Sequence, residues 1–236
     1  GTHSQNLEMY SAGFSPSIFR SKVESLEVVK IPEDSDVVFL LLRYMHFCPQ
    51  PETSAFLFST TERLAYAVEK YMIYLAMEVC RLRMELGVHN YPLAVLAYAV
   101  KHNYYPLAGK AAHLTLRYSF LEIEARFYGD LQVARLWLQY REGWVALLKS
   151  IHTCAPRAVS HKKRYCTRWD AFYSAALRSM DVLTFDPRNI STMPEIISHN
   201  ISLLENCGKC ATRATNWSFE IKRQRRDLPT FSTFLK

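Results

Sequence analysis

Four of the six cysteines fall in the C-terminal part of the chain, at Cys154, Cys166, Cys207 and Cys210. Cys207-Gly208-Lys209-Cys210 has the spacing at which two thiolates grip one metal ion from a tight turn, with Gly208 easing the backbone. Cys166 and Cys154 are candidates for the other two ligands, with His152 or His161 as substitutes. Four such ligands make a tetrahedral structural zinc, which would pin a linker and two helices that share little core. One C-x-x-C leaves rival readings open: thiols scattered through a reduced protein, a thioredoxin-like redox dithiol, or a disulfide. The redox reading needs the first thiol at a helix N-terminus beside a βαβ sheet, and no strand pattern surrounds Cys207. A disulfide fits poorly with a chain that shows no secretory leader. Cys48 and Cys80 lie in apolar runs and read as small buried hydrophobes.

Other chemistry is sparse. No serine falls in a nucleophile elbow, and the seven glycines form no phosphate cradle. His89, His102 and His113 lie on or between predicted helices and read as surface or satisfied core residues rather than catalysts. The expectation is a protein that is not an enzyme. The net charge of +7 gathers in His161–Arg164 and in Lys222–Arg226. Such clusters bind phosphates or act as nuclear-import signals, but they also sit comfortably at a helix C-terminus. No base-reading element accompanies them, so nucleic acid is an unlikely partner. No apolar run reaches the length of a membrane span. The sequons at Asn189, Asn200 and Asn216 would matter only in a secreted chain, and the expected compartment is the cytoplasm or nucleus.

The elements that must position these residues are helical. Residues 60–116 read as four consecutive helices. Leu64, Val68, Tyr71, Met72 and Leu75 recur on one face of the first, and Ser59-x-x-Glu62 has the form of a capping box. Pro92 suits the first turn of the next helix, whose stripe is Leu93, Leu96, Ala97 and Val100. Residues 103–106 turn the chain before Leu107, Ala111 and Leu114. Upstream, 27–31 is a strand candidate. Asp34 or Ser35 can cap a helix over 36–47, apolar on every side from Val37 to Leu42. Downstream, 130–149 reads as a long helix with Trp137, Tyr140, Trp144 and Leu147 on one side. Buried tryptophans of this kind usually hydrogen-bond through their polar tip. Residues 165–180 and the stripe Cys210, Ala214, Trp217 and Ile221 mark two further helices. The polar, proline-containing stretch 152–161 is a linker. The boundaries expected are therefore 1–117, 118–151 and 152–236.

The runs LAYAVEKYMIYLAMEVCRLRM and PLAVLAYAVKHNYYPLAGKAAHLTL closely resemble the fungal (basidiomycete) BTB/POZ-domain proteins. NLEMYSAGFSPSIF, VVKIPEDSDVVFLLLRYMHFCPQP and the ending LPTFSTFLK are similar to the same family, in the same order. The resemblance is densest over 60–116. It implies a mainly α, BTB/POZ-like helical domain with at most a small residual β-sheet, followed by a C-terminal helical extension. It also implies a protein-interaction module, an adaptor for a cullin-type ubiquitin ligase or a transcription-related scaffold. The strand pair that precedes 6–14 in the family has no counterpart here, so a homodimer by that route is expected to be weakened. The partner surface is expected over 47–59 and 66–84, with Phe56, Phe58 and Tyr66 as anchors. The alternative is a zinc-stabilised nucleic-acid-binding protein using the two basic clusters.

Overall fold

The computed structural model describes residues 4–13, 30–127, 130–153, 166–179, 186–205 and 207–236, and among them every regular element is helical. The expected mainly α class is what the chain adopts. Of the strand candidate 27–31, only Lys30 and Ile31 are described, and they take no regular structure. The chain divides into two units, Gly1–Leu107 and Ala108–Lys236.

The first unit contains α1 (Ser4–Tyr10), α2 (Ser35–Tyr44), α3 (Phe58–Lys70), α4 (Tyr74–Leu86) and α5 (Pro92–Lys101). In α2 the buried residues are Val37, Leu40, Leu41 and Tyr44, while Phe39 is exposed. The helix is therefore one-sided, not buried all round. Asp34 occupies its N-cap position without capping it. The carboxylate pairs instead with Arg63, which also holds Asp36 at 2.8 Å. The capping box expected at Ser59 does not form either, because α3 begins at Phe58 with Leu57 in the N-cap place. Ser119 and Glu122 make a full box one unit further on.

The expected face running from Leu64 to Leu75 is cut by a turn. Leu64, Val68 and Tyr71 are buried, but Met72 and Leu75 are exposed. Met72 takes a φ of 50°. Its N–H donates to the Glu69 carbonyl at 3.2 Å, and the Ile73 N–H donates to that of Val68 at 3.0 Å. These two bonds are the Schellman closure, with a left-handed residue where glycine is usual. Asn103 repeats it after α5, with a φ of 61° and the Tyr104 N–H on the Ala99 carbonyl at 2.8 Å. The segment after α1 hooks onto the first of these turns: Gly13 N–H donates to the Tyr71 carbonyl at 2.9 Å. A Cβ at Gly13 would lie 2.6 Å from the Tyr71 backbone, so only glycine fits.

A buried carboxylate ties α3 to α5. The Glu69 side chain is 7% exposed. It accepts from the Tyr98 hydroxyl at 2.9 Å and the Tyr104 hydroxyl at 2.6 Å. Burial and the Glu69 charge hold both phenols well above their ordinary titration range.

The second unit begins within α6 (Tyr105–Leu114) and continues with α7 (Phe120–Arg126), α8 (Leu131–Thr153), α9 (Thr167–Ser179), α10 (Met193–Asn200), α11 (Gly208–Asp227) and α12 (Phe231–Phe234). Asp130 caps α8 by accepting from the Val133 N–H at 3.2 Å. Trp137, Tyr140, Trp144 and Leu147 are buried along one side, as the spacing predicts. The Trp137 indole donates to Thr115 at 2.9 Å, while the Trp217 indole has no acceptor among the described residues. α8 packs on α7, α12 and the 3-10 turn Pro187–Thr192. It lies within the unit Ala108–Lys236. α10, unforeseen in the sequence, sits against both α9 and α11.

Met72→Gly, at a solvent-facing position, should relieve the left-handed cost and stabilise the fold by about 0.5–1 kcal/mol in urea titration. His113 packs on the Trp144 ring at 4.8 Å, and burial pushes its pKa down from the ordinary 6.5. The folded chain favours the neutral ring, so this contribution is complete above about pH 6.5 and is lost as the pH falls below it. His113→Phe should flatten the fall in melting temperature between about pH 7.5 and about pH 5.5.

Candidate metal centre

Two helix starts bring three thiols together. Cys210, Ala214, Trp217 and Ile221 form the buried stripe of α11, and Trp217 meets Tyr173 of α9 with ring centroids 5.7 Å apart. That packing sets the beginning of α11 beside the residue before α9. Cys207 stands at the N-cap position of α11 and Cys210 in its first turn. The Cys166 carbonyl accepts from the Trp169 N–H at 3.0 Å at the start of α9. The Cys166 sulfur lies 3.9 Å from that of Cys207 and 3.7 Å from that of Cys210. All three sulfurs lie within 4.8 Å of one another.

These separations suit a metal. A tetrahedral ion with Zn–S bonds of about 2.3 Å has S···S edges of about 3.8 Å. Three of the four expected ligands, Cys166, Cys207 and Cys210, therefore stand near three corners of one tetrahedron. Cys154 and His161 lie outside the described residues, and of His152 only the backbone is described. The sulfurs are at non-bonded distances, which disfavours the disulfide. The redox reading lacks its sheet, since no strand occurs among the described residues.

The local electrostatics divide the thiols. The Cys210 N–H and thiol donate to the Cys207 sulfur, and Arg168 lies nearby, which holds the Cys207 pKa below its ordinary 9.0. Burial, and then the neighbouring sulfurs, push Cys210 up to about 12. A cation brought among them would favour all three thiolates. Arg168 is oriented by donating to the Glu205 carbonyl. Gly208 does not have the role expected for it. Nothing lies within 4 Å of a Cβ built there, and its φ is not left-handed.

The other singled-out residues are dispersed. Cys80 is buried, with a thiol pushed up to about 12 by burial, and Cys48 is half-buried with its S–H on the Arg43 carbonyl at 3.6 Å. Phe56 is half-buried. Phe58 stacks on Tyr91 with centroids 4.0 Å apart and lies so close to Gly87 that a Cβ there would meet its ring at 2.6 Å. Tyr66 carries Lys101 over its face at 4.8 Å and touches Tyr98 and His102. Within 47–59 the exposed large apolar residues are instead Phe47 and Leu57, the latter 75% exposed. Leu57 sits directly between two aromatics that turn inward. In the cluster 222–226, Arg223 pairs with Glu220 at 2.7 Å and Asp227 at 3.4 Å, and Arg225 donates to the Ser191 carbonyl at 3.1 Å. Cluster 161–164 lies outside the described residues.

No family model, curated protein or solved structure matches this chain.

One zinc per chain is expected by elemental analysis of purified protein. Cys210→Ser and Cys166→Ser should each lose it. Chelation should lower stability by about 4 kcal/mol if the free metal stood about a thousandfold above its dissociation constant. Metal-free protein with an unchanged melting temperature in both variants would end the proposal.

Proposed function

We propose that this chain is a non-enzymatic protein-interaction module of BTB/POZ type, carrying a structural zinc in its second unit. The observation that carries the reading is apolar surface on the first unit within the stretch the family resemblance marks for partners. Phe47 is fully exposed and Leu57 nearly so. Beside Phe47 lies a cleft of about 450 Å³ lined by Tyr10, Tyr44, His46, Pro49 and Leu75 among others. A protruding aromatic beside a largely apolar cleft is the kind of feature that seats an apolar anchor from another protein. The partner class is a scaffold protein, of the cullin-type ubiquitin-ligase kind or one associated with transcription.

The nucleic-acid alternative draws less support, because Arg223 and Arg225 are engaged within the chain. No helix among the described residues is long and apolar enough to cross a membrane.

Affinity capture followed by binding to the purified partner tests the reading. Phe47→Asp and Leu57→Asp, both at exposed positions, should weaken binding at least about tenfold with the helical signal unchanged. Equal binding by wild type and both variants would count against it.

A further inference from the structure

The three clustered thiols differ in their access to solvent. Cys166 and Cys207 are half-buried, while Cys210 is fully buried. Their neighbours Thr167, Gly208 and Lys209 are exposed, so the cluster opens at the surface through Cys166 and Cys207. Cys207 stands at the N-cap position, outside the body of α11, and Cys210 belongs to the buried stripe. The Cys210 N–H donates to the Cys207 carbonyl at 3.0 Å, so this pair closes a single turn. The ends of such a turn lie less than about 7 Å apart at Cα. A disulfide bridges Cα separations of about 4.4–6.8 Å, so the turn brings the pair within its reach. A bridge from Cys166 would instead tie two helices whose placement is set by the contact of Trp217 with Tyr173.

We propose that Cys207 is a site of reversible oxidation by hydroperoxides, with Cys210 as its resolving thiol, and that the bridge they form expels the metal. The inference rests on the zinc reading of the same cluster. The Cys207 sulfur attacks one oxygen of the hydroperoxide. An S–O bond forms, the O–O bond breaks, and the other oxygen departs with the electron pair and takes a proton from solvent. The Cys210 sulfur then attacks the sulfenic sulfur of Cys207. An S–S bond forms, the S–O bond breaks, and that oxygen leaves as water after taking a second proton. Two thiolates, one hydroperoxide and two protons thus give a disulfide, an alcohol (water, from hydrogen peroxide) and water. This is not thiol–disulfide exchange and needs no βαβ sheet. It needs one sulfur open to a small oxidant and a second, sheltered one within reach, which is how Cys207 and Cys210 divide. A disulfide carries no thiolate charge, so the bridge takes two of the three clustered ligands from the ion at once. The starts of α9 and α11 are then no longer held through it.

The test is to titrate hydrogen peroxide into the zinc-loaded chain beside a chromogenic zinc chelator, after elemental analysis has counted the metal. Zinc should be released in step with the loss of two alkylatable thiols, and peptide mapping should find Cys207 joined to Cys210. Reductant followed by zinc should restore both the thiols and the metal. The melting temperature read by tryptophan emission should fall on oxidation and recover on reduction. Cys166→Ser loses the metal but keeps the pair, and should still form the bridge. Cys210→Ser removes the resolving thiol and should leave Cys207 as a sulfenic acid that a cyclic diketone labels. A chain that carries zinc and keeps it under peroxide, or a bridge that includes Cys166, would overturn the proposal while the zinc reading stands. A chain purified without zinc would overturn the zinc reading and the metal release together.

Discussion

A carboxylate with almost no access to water governs the first unit. Burying the Glu69 charge carries a large desolvation cost, and the two phenols that donate to it are what make its position tolerable. Both donors must be delivered accurately. Tyr98 comes from the middle of α5. Tyr104 comes from the residue just past the left-handed turn at Asn103. The Tyr104 ring is in turn approached by the Arg81 guanidinium of α4 at 6.0 Å. Removing the acid would strand the buried Tyr98 hydroxyl and the half-buried one of Tyr104, so α3, α5 and the turn between α5 and α6 are fixed together.

The second unit is organised by different means. Its core is a set of large rings along α8, with Tyr140 against Phe231 at 5.6 Å and Trp137 bonded to Thr115. At the N-terminal side of α11 the elements are shorter, α10 and the 3-10 turn Ile201–Leu204. There the three sulfurs converge, where the starts of α9 and α11 meet. A metal ion is a compact means of joining segments that cannot bury enough surface against one another.

Much of this was legible in the residues. The 3.6-residue stripes located α8, α9 and α11, and Pro92 marked the start of α5. The convergence of Cys166 with Cys207 and Cys210 was also foreseeable from the types and spacing of the thiols. Other features were not, for identifiable reasons. Met72 continues the apolar periodicity through a point where the backbone reverses hand, and nothing in a methionine announces that. Val37–Leu42 is uniformly apolar, so its composition hides the fact that Phe39 faces solvent. Ser59-x-x-Glu62 fits a box by type alone, but the N-cap falls two residues earlier, at Leu57. Phe56 and Phe58 stood out by size, yet the smaller Leu57 between them is the residue that protrudes. Which apolar side chain faces water depends on partners far away in the sequence, and Gly87 is the example for Phe58.

All four tryptophans, Trp137, Trp144, Trp169 and Trp217, belong to the second unit, and the first has none. Each is buried. Indole emission is therefore an optical gauge of the second unit alone, while the tyrosine-rich first unit is silent when excited at the red edge of the aromatic band. The second unit can thus be watched losing its structure by itself, without any label.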